Sequence, residues 1–402
     1  MTVLHVNEHL AHKGGVETYL FGLLPRLRER GVEPVVAYGD GDSSLYAPSH
    51  HAPALGTVGL WAEARARTQM ETILQAVAPD VIHIHNVQNV GALQASLAYG
   101  PTVLTTHDYR WVCPANNFFH ARPQSVCERT CGPGCFATTL TKRCVTPRPQ
   151  YAAGFYRRAR WGVEHAADFA RVLAPSRGAR AKYEQSGFQK ADMDVLPYFC
   201  APAPAAAPRP LPEPPTITYL GRIAANKGHE YFVEALGALP NGVQGRMVGG
   251  VTDEAAAQLR GLAARYACAD RLSLHGWASQ AEIITVLEGT SVLVFPSLWP
   301  ETLGLVGLEA LSQGVPVVAS EVGGVREWCH EGETGYGVPP ADGPAIAERV
   351  AHLLGDEDRL RAFGARGIEL VEERFRPTQH VDRLLRIYRQ VQPSVQPASS
   401  HA

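Results

Sequence analysis

Glu301 and Glu309 stand eight residues apart in the run Phe295-Pro296-Ser297-Leu298-Trp299-Pro300-Glu301-Thr302-Leu303-Gly304-Leu305-Val306-Gly307-Leu308-Glu309-Ala310. The pattern predicts a strand ending at Phe295, a loop carrying Glu301, and a helix starting near Thr302 with Glu309 along it. Eight helical residues span about 12 Å. Two carboxylates so separated suit two sets of hydroxyls on one extended ligand. Between them the helix N-terminus, over Thr302, Leu303, Gly304 and Leu305, offers free backbone N–H groups and a partial positive charge to an anion. Sugar, phosphate and ribose, in that order, fit such a row. Gly221-Arg222-Ile223-Ala224-Ala225-Asn226-Lys227-Gly228 follows another predicted strand. Its glycines keep the loop open, while Arg222 as a planar fork and Lys227 as a point charge can both reach a phosphate. Val322-Gly323-Gly324-Val325-Arg326-Glu327 is a third such turn. Singly, each is ordinary surface. Together they fall at strand C-termini of one α/β region, where such sheets bind ligands.

A second chemistry lies in the cysteines. Five of the eight, Cys113, Cys127, Cys131, Cys135 and Cys144, crowd into one stretch, spaced 14, 4, 4 and 9 apart. In a reducing compartment such a cluster points to metal before disulfides. Four thiolates bind zinc tetrahedrally, and Gly132-Pro133-Gly134 suits a tight chelating turn. A structural zinc on four of the five is expected; an iron–sulfur cluster, disulfides and free thiols stay open.

These groups need a frame. The chain has 402 residues, 45% hydrophobic and 19% charged, with a net charge of −2. That composition excludes a mainly disordered chain, and the charge balance argues against a nucleic-acid partner. No window approaches 18 consecutive apolar residues, so no membrane span is expected. The start, Met1-Thr2-Val3-Leu4-His5-Val6-Asn7, reads as a buried strand and not as a signal peptide, so a cytoplasmic protein is expected.

Strands and helices alternate from residue 2 to Thr106, giving an α/β parallel-sheet domain over 1–196. The pattern breaks over about 109–150, the cysteine-rich insertion, and resumes with a long helix from about Ala152 to Phe169. Residues 197–215 hold eight prolines and five alanines, an extended interdomain linker. The alternation restarts at Thr216 and runs to 375. A helix at 376–391 is expected to pack back toward the first domain, and 392–402 reads as a loose tail.

The C-terminal half resembles the retaining GT-B glycosyltransferases of family 4. Glu301 and Glu309 match that family's Glu-x7-Glu pair. Phe295-Pro296-Ser297, Gly314-Val315-Pro316-Val317-Val318-Ala319, Gly221-Arg222 and Asn226-Lys227-Gly228 also match, and Gly14-Gly15-Val16-Glu17 adds to the likeness. The resemblance implies two Rossmann-like domains facing across a cleft and a nucleotide-sugar donor, UDP-sugar ahead of GDP-sugar. By it, Arg222 and Lys227 neutralise the donor diphosphate, Glu301 contacts sugar hydroxyls, and Glu309 the ribose. His275-Gly276-Trp277 lies near the base, and Gly14 and Gly15 let the first domain approach the phosphate. His107, in Thr105-Thr106-His107-Asp108, faces the donor sugar; the plainer reading is a loop histidine satisfied by Asp108. His83 and His85 read as structural.

The acceptor is expected on the N-terminal domain, as a glycan or a lipid-linked precursor. No divalent-metal carboxylate motif is evident, so no catalytic divalent metal is expected. Lys142, Arg143, Arg148, Arg157, Arg158 and Arg160, interleaved with Tyr151, Phe155, Tyr156 and Trp161, allow peripheral contact with an anionic membrane, at the inner face of the cytoplasmic membrane. They equally allow a solvated helix face over a core stripe. Two other functions share the architecture, a nucleotide-sugar 2-epimerase and a non-catalytic partner subunit. A phosphorylase-like enzyme fits poorly, because no pyridoxal-phosphate lysine environment is evident and the chain is short.

Overall fold

The computed structural model describes residues 1–208 and 210–392. The first domain contains β1 (Thr2–Leu10), α1 (Gly15–Glu29), β2 (Glu33–Gly41), β3 (Ser49–His51), α2 (Glu63–Val77), β4 (Val81–Ile84), α3 (Val90–Tyr99) and β5 (Thr102–Thr105). After the insertion come α5 (Pro149–Glu164), β8 (Arg171–Ala174), α6 (Arg177–Tyr183) and β9 (Met193–Val195); the insertion itself holds β6 (Phe119–Ala121), β7 (Gln124–Val126) and α4 (Gly134–Lys142). The second domain contains β10 (Thr216–Leu220), α7 (His229–Ala238), β11 (Gln244–Val248), α8 (Asp253–Arg265), β12 (Leu272–His275), α9 (Gln280–Glu288) and β13 (Val292–Phe295). It continues with α10 (Leu305–Ser312), β14 (Val317–Ser320), β15 (Gly335–Val338), α11 (Gly343–Leu354) and α12 (Glu357–Arg374), and α13 (Pro377–Val391) follows.

Both sheets are parallel. The first runs β3-β2-β1-β4-β5-β8-β9 and the second β12-β11-β10-β13-β14-β15. Each is wound in both directions from its first strand, as two facing Rossmann-like domains require. β4, β5, β13 and β14 are buried along their whole length, as strands covered by helices on both faces must be. The order reverses between β1 and β4 and again between β10 and β13. At such switch points the flanking loops part and leave a crevice beyond the strand ends.

One apolar cluster joins the domains. It runs from Tyr19, Leu23 and Val103 to Leu308, Phe375 and Tyr388. α13 supplies much of it by lying against α1, where Tyr19 Oη and His380 Nε2 are 2.8 Å apart. The connector is pinned as well: Cys200 N–H donates to Phe375 O at 2.9 Å, and Ala205 N–H to Ser312 O at 2.8 Å.

Three elements differ from the sequence reading. α10 begins at Leu305 and not near Thr302, because Gly304 has φ +89°, a left-handed conformation that cannot continue a helix backwards. Glu301 therefore stands on a loop ahead of the helix. α5 starts earlier, with Pro149 at its first turn, and ends at Glu164. The insertion is partly regular. Strands as short as β3 and β9 carry too few residues to show an alternation. The expected tail falls on 392–402, of which 393–402 lie outside the described residues.

Candidate active site

Lys227 closes a short 3-10 turn after β10, and Glu301 lies on the loop after β13, so the switch point brings them together. Gly228 holds the approach. It has φ +65°, and a Cβ there would lie 1.9 Å from Pro296 O, so only glycine lets the two loops touch. Lys227 Nζ reaches Glu301 Oε1 at 2.6 Å. The same oxygen accepts from Trp299 Nε1 at 2.6 Å and from Ser297 Oγ at 2.5 Å. Glu301 is nearly buried, and its Oε2 is left to accept from a ligand. The ammonium also sits 5.0 Å from the Trp299 ring centroid, a cation–π contact.

Arg222 is exposed beside this pair. Its backbone is fixed by Tyr219 Oη, which donates to Arg222 O at 2.7 Å, and Gly221 before it has φ +143°. Glu309, buried in α10, accepts from Gln280 Nε2 at 3.1 Å, and burial pushes its carboxyl pKa up. His275, Gly276 and Trp277 leave β12 as an exposed loop, tied back where Gly249 N–H donates to Gly276 O at 3.1 Å. From the other domain, Gly15 comes close enough that a Cβ would lie 3.4 Å from Leu305 Cδ1, with Gly14 capping α1 beside it. Thr302 bridges the domains: its Oγ1 donates to His107 O at 3.1 Å, and its carbonyl accepts from Ser176 Oγ at 2.6 Å. Leu303 is buried, and its carbonyl accepts from Trp328 Nε1 at 2.6 Å.

His107 lies at this interface but turns both ring nitrogens inward. Nδ1 pairs with Tyr198 Oη at 2.7 Å and Nε2 with His85 Nδ1 at 2.9 Å. His85 Nε2 continues to His5 Nδ1 at 3.0 Å. In this arrangement both imidazole nitrogens are bonded within the protein, so a donor-facing role needs one of them released. Asp108 does not satisfy it either, being held by Arg110 through bonds of 2.8 to 3.1 Å. His83 bonds Tyr388 Oη at 2.6 Å and Thr105 Oγ1 at 2.7 Å. Burial lowers the pKa of His5 and of His107 to about 3, so each is neutral near pH 7. His5, His83 and His85 bring ligand atoms within 4.8 Å of one another. Of their six ring nitrogens, however, only His5 Nε2 lacks a partner.

All five insertion cysteines line one small cavity of about 20 Å³. The basic, aromatic helix divides. Arg158 and Trp161 of α5 are buried, Arg158 against Gln88 and Asn116. Arg157 pairs with Glu63 at 2.6 Å and Arg160 with Glu164 at 2.6 Å. α5 is thus a solvated face over a core stripe. The exposed apolar side chains lie nearby instead, at Trp61, Phe136 and Leu140. No helix among the described residues is long and apolar enough to cross a membrane.

Sequence reading assigned no role to Ser297, Trp299 or Gln280. The first two stand four and two residues before Glu301, which is a usable signal; Gln280 comes from a distant helix and has none.

A family model described as "Glycosyl transferases group 1" matches residues 206–370, and one described as "Glycosyltransferase Family 4" matches residues 13–200. The chain is similar to an alpha-D-kanosaminyltransferase of Streptomyces kanamyceticus, 32% identical over 182 residues, covering 45% of this chain and 47% of that protein. It is also similar to a GDP-mannose-dependent alpha-(1-6)-phosphatidylinositol monomannoside mannosyltransferase of Mycobacterium tuberculosis, 34% identical over 175 residues, 41% of this chain and 45% of the other. The chain spans about half the length of the curated relatives it matches. In fold it is similar to Anabaena Alr3699/HepE, solved with UDP and glucose, at a TM-score of 0.71 and 17% identity, over 97% of this chain and 100% of that one.

Proposed function

As the chain belongs to glycosyltransferase family 4, with the GT-B fold, we propose that it moves a sugar from a nucleoside-diphosphate donor to a glycan or lipid-linked acceptor with retention of configuration. The observation that carries this reading is the Lys227–Glu301 pair at the second domain's switch point, facing the Gly14-Gly15 loop of the first.

Breaking the C1–O bond of a nucleotide sugar builds charge on the β-phosphate. Lys227, held by Glu301, and the exposed Arg222 are cations beside that position. Lys227 keeps two N–H bonds for phosphate while the third holds Glu301. Cations fixed before the reaction stabilise charge as it develops, with no reorganisation cost in the transition state. Three donors crowd Glu301 Oε1 and blunt its carboxylate as a nucleophile; Oε2 is suited to a sugar hydroxyl. The acceptor oxygen then attacks C1 on the face the diphosphate leaves. One C–O bond forms, the C1–O bond to phosphate breaks, and the departing phosphate takes the acceptor proton. Glu309, buried and bonded through one oxygen to Gln280, is suited to the ribose hydroxyls.

UDP stands ahead of GDP as the donor base because the solved neighbour holds UDP, while one relative is GDP-mannose-dependent. A lipid-linked acceptor at the inner membrane face is favoured by Phe136 and Leu140, exposed on α4 just before Lys142 and Arg143, and by the exposed Trp61 against Tyr151. The test is thermal shift with UDP, GDP and their sugars on wild type and Lys227→Ala. A ligand binding only the folded state raises apparent stability by mass action. A shift with one nucleotide, weakened in the variant, supports the reading and identifies the base. Turnover without any acceptor turns it toward an epimerase; no shift with any nucleotide overturns it.

A further inference from the structure

The insertion has a helix built inside out. α4 buries Thr138 and Thr139 and exposes Phe136 and Leu140. A helix on an apolar core does the reverse. Both threonine hydroxyls donate to Cys135 O, Thr139 at 2.9 Å and Thr138 at 3.0 Å, and Cys144 Sγ lies 3.8 Å from each. Backbone donors are aimed at sulfur. The backbone N–H groups of Ala115 and Phe118 point at the Cys113 sulfur, and that of Gly132 at Cys135. Neutral thiols in a core do not need amide donors, because they behave as small hydrophobes. Thiolates do, and metal-bound sulfurs carry such partners in their surroundings.

The cavity argues the same way. Its volume of about 20 Å³ suits one atom-sized occupant, and apart from sulfur it is lined mainly by apolar groups such as Val112, Phe118 and Phe119. A buried water needs two to four polar partners, and apart from sulfur this lining offers only Arg129 and Thr138 as polar side chains. A thiophilic cation would be surrounded by ligands. Arg129, also at the cavity, offsets the charge of such a centre.

We propose that the insertion is a structural zinc site ligated by four of the five thiols that line this cavity, Cys113, Cys127, Cys131, Cys135 and Cys144. The sulfurs stand wider in this structure than a bound ion would hold them, since no three lie within 4.8 Å of one another. Zinc–sulfur bonds of about 2.3 Å draw them in by rotation about χ1. The bound metal carries no chemistry; it shapes the lobe that flanks the acceptor side.

The test is elemental analysis of the full chain purified with a thiol reductant and no chelator. The expected result is about one zinc per chain, released in step with modification of four thiols by an organomercurial. Cobalt exchange should give the intense visible bands of a tetrahedral thiolate centre. Cys329→Ser keeps the metal; Cys→Ser replacement at four of the five insertion positions loses it and at the fifth keeps it. The wild-type stoichiometry and cobalt spectrum do not depend on those variants folding. Iron with labile sulfide, a disulfide within the insertion, or freely reacting thiols with no metal would each overturn the proposal. Retention of the metal in every single Cys→Ser variant of the insertion overturns the four-thiolate assignment.

Discussion

Lys227 and Glu301 form a charge pair that a donor must join without breaking. Removing the cation takes away stabilisation that exists only as the leaving group develops charge, so Lys227→Ala should lose about 100-fold or more in kcat/KM. Its melting temperature should stay near wild type, because Lys227 is partly exposed and its turn is shaped by Gly228. Near-normal turnover in that variant sinks the phosphate assignment. Glu301→Gln keeps an oxygen for Trp299 and Ser297 but leaves Lys227 without its counter-charge. About 10-fold loss of rate is expected, the worth of one hydrogen bond between charged groups. Steady-state kinetics read both effects. The pair was legible in sequence because both residues follow strands at fixed offsets. The cradle around Glu301 was half legible, since Ser297 and Trp299 are local and their convergence on one oxygen is not.

At the scale of elements, two helices make contrasting predictions. α10 starts at Leu305 because Gly304 takes φ +89°, packed 3.2 Å from Phe295 and 3.3 Å from Trp328 as judged from a Cβ placed there. Gly304→Ala should cost about 1–2 kcal/mol for the left-handed backbone alone, and should weaken nucleotide binding by tilting the first turn. Denaturant melts and nucleotide thermal shifts measure the two parts. α4 behaves oppositely. Leu140 is 70% exposed on the inverted helix, so Leu140→Ser should leave stability within about 0.5 kcal/mol. If the face binds lipid, sedimentation with anionic vesicles should fall in that variant. Wild type that fails to sediment with such vesicles removes the membrane reading. Periodicity predicted α1 and α13 well, because one face of each meets a core. For α5 it left two readings open, and packing decided for the solvated face over a core stripe by burying Arg158 and pairing Arg157 and Arg160.

Across the whole molecule, neutral histidines tie the domains, connector and last helix together. His5, His85 and His107 form one hydrogen-bonded chain ending at Tyr198 of the connector, while His380 and Tyr388 of α13 bond Tyr19 and His83. Burial lowers His380 to about 4, and His83 and His85 well below the usual range. Above about pH 6.5 folded and unfolded states are both neutral, and the histidines add no pH dependence. Below it the unfolded chain takes protons that the native state refuses, so stability falls with pH. At pH 5 the cost is on the order of 2 kcal/mol for each histidine lowered to about 3. Urea melts between pH 7 and 5 should show stability dropping steeply, in a window above the carboxylate range. A flat profile there means that the histidines are not buried neutral in solution.

What the sequence by itself determined was the order of two parallel-sheet α/β domains and the loops at their strand ends. Apolar runs, strand-end glycines and the Glu301–Glu309 spacing are local patterns, readable wherever neighbours in the chain are neighbours in space. Only the tertiary structure decided which polar groups are already spent. His107 follows a strand, as a donor-facing histidine would, yet its nitrogens meet His85 and Tyr198 from distant segments. Whether a side chain faces a ligand or a neighbour is set by residues far along the chain, and no local spacing records them.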